Sequence, residues 1–85
     1  MYCIALTDSG NYTTNLNEIL SRKGYYFDVI STPSRLTEGN CSYSLKFPEE
    51  YINEVIRVGI ENKIPIKRVY KVLRENNSTV YERIY

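Results

Sequence analysis

"ISTPSRLTEGNCSYSLKFPEE", Ile30 to Glu50, decides how this chain folds. An apolar, strand-like run stops at Pro33. A polar loop holding Arg35 follows. From Cys41 the pattern alternates: Cys41, Tyr43, Leu45 and Phe47 take one side, and Ser42, Ser44 and Lys46 take the other. That is a half-buried strand with period two. Pro48-Glu49-Glu50 then reads as a helix start. Proline loses no hydrogen bond at the first helical position, and two carboxylates complement the positive end of the helix dipole.

Working outward, "YYFDVIST" (Tyr25 to Thr32) is aromatic and β-branched and reads as a strand. Before it, Tyr12, Leu16, Ile19 and Leu20 form one face of an amphipathic helix, with Ser9 as N-cap and Gly24 as the stop. "YCIALT" (Tyr2 to Thr7) is a strand ended by the turn-rich "DSGN". Downstream, Ile52, Val55, Ile56 and Ile60 repeat on one helix face to about Asn62, and Pro65 closes the segment. Ile66 to Leu73 alternates as a strand, "ENNS" is a turn, and "TVYERIY" is either an extra C-terminal strand or a tail ordered by a partner. The order β-α-β-β-α-β specifies an α+β, ferredoxin-like split βαβ fold. It implies a four-stranded antiparallel sheet in the order 4-1-3-2 with two helices on one face.

Eighty-five residues, 42% hydrophobic and 25% charged, suit one globular domain over 1–85, its core at about 2–73. No run approaches the ~18 apolar residues of a membrane span, and the apolar start without a basic region does not read as a signal peptide. A bacterial-type cytoplasmic location is the expectation. The net charge of +1 argues against general attraction to nucleic acid or an anionic membrane. The charge is uneven: Lys63 onward carries six basic and two acidic residues. That stretch is a solvated basic edge or a local site for a small anion or acidic partner.

Two cysteines and no histidine exclude a Cys–His dyad. Neither cysteine sits in a C-x-x-C pair, so no metal and no cofactor are expected. The topology places Cys41 at the start of the third strand, near Thr7 and the first helix N-terminus. Its partial positive charge and unpaired N–H groups around Ser9, Gly10 and Asn11 favour a thiolate. Arg35 in the same loop adds a full charge, and Lys67 and Arg68 begin the fourth strand at the same edge. Together these lower a thiol pKa below its free value of about 8.5. The alternative is an inert, core-facing cysteine. Cys3 lies at the other end of its strand, more than about 10 Å away at ~3.3 Å per residue, and reads as a small strand residue. A disulfide requires Cα atoms within about 7 Å, so a Cys3–Cys41 bridge is not expected.

"TPSRL" (Thr32 to Leu36), Cys41, "LKFPEE" (Leu45 to Glu50) and "VYKV" (Val69 to Val72) resemble the selenium/sulfur carrier protein-like family of small bacterial domains. The resemblance covers about Tyr2 to Val72, and Pro33, Arg35 and Cys41 fall on its recognisable positions. Ser34 is inserted between Pro33 and Arg35, Thr37 stands where the family tends to have Ser, and Ser42 replaces the glycine after the cysteine. The resemblance implies a carrier or accessory protein rather than a complete enzyme. Cys41 is then the carrier thiol and Arg35 the group that steadies the anionic sulfur. Its partners are proteins that donate and accept sulfur or selenium.

Two other functions compete. A dimerising, non-catalytic interaction module would use an open sheet face holding Cys3, Ala5, Ser42, Ser44, Tyr26 and Ile30. Nine tyrosines raise single-stranded nucleic acid, but the aromatic-basic RNP signature is missing and the net charge is near neutral, so many of the tyrosines read as packing residues and nucleic acid is not the expected partner.

Overall fold

The computed structural model describes residues 1–37 and 43–85. Five strands and two helices follow one another: β1 Tyr2–Thr7, α1 Gly10–Arg22, β2 Asp28–Ser31, β3 Tyr43–Pro48, α2 Ile52–Glu61, β4 Ile66–Glu75 and β5 Ser78–Arg83. Short 3-10 turns occupy Ser34–Leu36 and Glu49–Tyr51. The fold is α+β, and the strands form one antiparallel sheet in the order β2-β3-β1-β4-β5. The sheet thus has five strands where the sequence expectation has four. "TVYERIY" supplies the addition, outside β4. Asn76 and Asn77 both adopt positive φ, 50° and 65°. That is the backbone a two-residue hairpin needs, and Asn tolerates it best after Gly.

β1 is central, hydrogen-bonded to β3 on one side and β4 on the other. It is buried on both faces. Cys3 and Ala5 join Leu45, Phe47 and Val69 beneath Leu16 and Leu20 of α1 and Val55 and Val58 of α2. Ile4 and Leu6 point the other way and pack with Val72 and Leu36. The open face expected from the sequence is therefore corrected. Cys3 and Ala5 lie under the helices, and Ile4 and Leu6 hold the opposite face, where the loop after β2 covers them with Leu36. A strand sandwiched between two layers has apolar residues at both parities, so its sequence does not label its faces.

Two boundaries and one helix face differ from expectation. Tyr25 to Phe27 precede β2 instead of belonging to it. Tyr25 and Phe27 stack at 5.7 Å between ring centroids and both meet Tyr51 at 5.5 Å, closing one end of the core. Pro48 ends β3 instead of opening the helix, because its ψ of 140° is extended. A φ near −65° serves a strand end and a helix start equally, and ψ alone decides. Ile60 is 70% exposed, and Val58 and Gly59 take the buried positions of α2. Gly59 lets the helix approach β4 closely: a Cβ there would stand 2.9 Å from Ile66 Cδ1 and 3.0 Å from the Ile64 carbonyl oxygen.

Candidate functional site

Cys41, the residue on which the sequence reading turns, lies outside the described residues, as does Ser42. What the structure describes is the frame on either side of them.

The downstream side is Tyr43, the first residue of β3. It meets the start of α1. Ser9 caps that helix, its Oγ accepting from the Tyr12 N–H at 3.3 Å. Gly10 and Asn11 follow as the first helical residues. Their N–H groups belong to the first turn, which has no intrahelical acceptors. Gly10 packs against the Tyr43 ring, and a Cβ there would come 3.0 Å from Tyr43 Cδ2. Below it runs a buried hydroxyl chain. Thr7 Oγ1 donates to the Ser9 carbonyl at 2.7 Å, Thr7 and Thr13 hydroxyls lie 2.9 Å apart, and Thr13 Oγ1 donates to the Tyr43 carbonyl at 3.2 Å. Three elements are thereby tied at one corner: the end of β1, the N-terminus of α1 and the start of β3. Sequence reasoning placed Thr7, Ser9, Gly10 and Asn11 at this end but missed Thr13. The available signal was Thr13 itself, a polar residue in line with Leu16 and Leu20 on the buried helix face.

The upstream side is the turn Ser34–Leu36, which starts from Pro33 in an extended conformation with its carbonyl accepting from the Leu36 N–H at 2.9 Å. Leu36 plugs the sheet face away from the helices. The structure does not bring Arg35 to the Ser9–Tyr43 corner. Its Nη1 donates to the Thr79 carbonyl on β5 at 3.1 Å. Thr79 pairs with Arg74, beyond the Tyr2–Val72 pair and so at the far end of the sheet. The cation at the root of the loop is Arg68, whose Nη2 donates to the Leu36 carbonyl at 3.4 Å and whose Nη1 donates to the Tyr70 hydroxyl at 2.6 Å. Lys67 is held at 3.0 Å by Asp8.

Cys3 is fully buried and unbridged. Burial pushes its thiol pKa up, and the nearby Glu49 carboxylate adds to the shift. Lys71, across from Cys3 on β4, is paired with that carboxylate at 3.0 Å. A thiol in this position is neither accessible nor ionised near neutral pH.

The chain matches, over residues 2–71, the family described as "Putative Se/S carrier protein-like". It belongs to that family. No curated protein and no solved structure matches the chain. The match to the Se/S carrier protein-like family ends at residue 71, within β4, and does not include the β4–β5 turn or β5. Among the described residues no cluster of three or more His, Cys, Asp or Glu side chains could hold a metal ion. No described helix is long and apolar enough to cross a membrane.

Proposed function

We propose that this member of the Se/S carrier protein-like family carries sulfur or selenium on the thiol of Cys41. The observation that carries the reading is the burial of Cys3. The chain has two cysteines, and Cys3 is entombed in the core with its pKa raised. Chalcogen chemistry through a thiol of this chain therefore falls to Cys41. The frame adds support: two residues downstream, β3 begins against the first turn of α1, where an anion is favoured.

In the proposed step, Cys41 loses its proton to solvent. The thiolate attacks the terminal sulfur of a donor persulfide, R–S–SH. A new S–S bond forms to give Cys–S–SH, the donor S–S bond breaks, and R–S⁻ departs. An R–S–SeH donor gives Cys–S–SeH by the same displacement. An acceptor nucleophile then takes the terminal atom and returns the Cys41 thiolate. Two cations belong to or touch the loop that bears Cys41, Arg35 and Arg68, and either lowers the thiol pKa if it faces the sulfur.

The test is alkylation rate against pH, with Cys41→Ser as the blank and Arg35→Gln and Arg68→Gln beside the natural chain. A midpoint below the free thiol value of about 8.5 is expected, rising in whichever arginine variant removes the stabilising charge. Mass spectrometry under non-reducing conditions should find one added sulfur or selenium on Cys41. A midpoint at or above the free value, with slow labelling of the folded chain, rejects the reading. A dimerising module is the alternative, but two residues of the surface assigned to it, Cys3 and Ala5, lie beneath the helices.

A further inference from the structure

The sheet face away from the helices sorts the arginines of this chain. The two helical ones are paired with carboxylates: Arg22 with Glu18, and Arg57 with Glu54 and Glu61. The other four gather on the opposite side of the molecule. Alternation along the strands puts Arg68 and Arg74 of β4 and Arg83 of β5 on the same face as Ile4, Val72 and Tyr81, and Arg35 reaches that end of β5 from the loop above. Among the described residues no carboxylate pairs with Arg35, Arg74 or Arg83. Their side-chain partners are a backbone carbonyl for Arg35 (Thr79) and one for Arg83 (Tyr85). Glu75 and Glu82 fall on the other parity, and Asp28, an acid on this face, sits at the far edge opposite Lys46.

Aromatic rings alternate with these charges. On this face β4 reads Arg68, Tyr70, Val72, Arg74, and β5 reads Thr79, Tyr81, Arg83, with Tyr70 beside Arg83 and Val72 beside Tyr81. Between them lies a groove of about 360 Å³ lined by Arg35, Leu36, Tyr70, Thr79, Val80 and Tyr81. We propose that this groove binds single-stranded nucleic acid, with a base against the tyrosines and the flanking phosphates on Arg35, Arg74 and Arg83. Guanidinium groups match phosphate bidentately. Tyrosine rings accept any base on their π-faces. Tyr70 and Tyr81 pack in part on the Ile4, Leu6, Leu36 and Val72 layer, and an acidic peptide would use the cations but not what remains exposed of the rings. Overall neutrality does not oppose the assignment, because the acids of α1 and α2 lie on the other side of the sheet. The proposal does not depend on the carrier reading.

The test is fluorescence anisotropy with a fluorescein-labelled oligouridylate of about twelve nucleotides, within the range of single-strand site sizes. Affinity should fall with salt, the log–log slope being about −0.7 for each phosphate contacted and so about −2 for three. Arg74→Gln combined with Arg83→Gln should flatten that slope by about 1.4 and weaken binding at least tenfold. Tyr81→Leu keeps an apolar side chain beside Val72 but removes the stacking face. It should cost about tenfold with the slope unchanged. Arg22→Gln, on the helix side, should bind as the natural chain does. Absence of salt-dependent binding, or full binding by the double arginine variant, overturns the proposal. So does displacement of the oligonucleotide by polyglutamate of equal charge, which would assign the face to an acidic protein instead.

Discussion

The two faces of the sheet are covered by different means. One receives two helices, whose Leu16, Leu20, Val55 and Val58 close over Cys3, Ala5, Leu45, Phe47 and Val69. The other has no α-helix among the described residues. Its Ile4, Leu6 and Val72 are covered by a three-residue turn that contributes one buried side chain, Leu36. The first face is a continuous core and holds the fold together. The second is a shallow layer with arginines and tyrosines around it, and it leaves a groove. A continuous core and an open groove are thus separated across a sheet one residue thick.

That separation can be attacked at graded strength. Phe47→Ala, in the helix-side core, should cost about 3–5 kcal/mol, read as a fall in the urea midpoint. A domain of this size has little stability beyond that. Leu36→Ala should cost about 2 kcal/mol, at the low end for a buried leucine, because only one cover residue is lost. Equal losses at the two positions would mean that the second face is as much a core as the first. Ser9→Ala removes an N-cap and should cost about 1 kcal/mol.

A smaller effect should appear only at high pH. The buried Cys3 thiol resists ionisation in the folded chain, while in the unfolded chain it ionises near about 8.5. Above that pH the unfolded state binds fewer protons than the folded one, so stability falls as pH rises. Below it the contribution is fully present. Cys3→Ala should therefore show a flatter alkaline limb than the natural chain, measured by denaturant midpoints across that range. Last, Arg22→Ala breaks an exposed pair with Glu18 and should leave the midpoint unchanged within error.

The sequence made β1, α1 and the alternation of β3 legible because each has one clear signature: a bounded apolar run, a capped 3.6-residue stripe, a period of two. It did not reveal which way β1 faces, since a central strand is apolar on both sides. It also misassigned the surroundings of Arg35. A loop sequence shows that the chain turns but not over which face, and the burial of Leu36 carries Arg35 towards β5. Pro48 misled for a related reason, as its φ suits two structures and its neighbours choose between them. The aromatic run from Tyr25 to Phe27 has strand propensity, yet its contacts with Tyr51 hold it outside the ladder. Of the candidate site, the meeting of the third strand's start with the α1 N-terminus was legible, because topology alone brings those two ends together, while Cys41, expected there, lies outside the described residues.

β1 precedes both of the strands that flank it, and β4 joins it only some sixty residues later along the chain, Thr7 meeting Ile66. A growing polypeptide must therefore keep two greasy sides of one short segment from sticking elsewhere until nearly all the domain has been made. The β4–β5 hairpin needs no such wait, for its halves are neighbours in sequence and close within microseconds. Assembly would then resemble a prefabricated C-terminal flap arriving to seal a slot held open since the beginning.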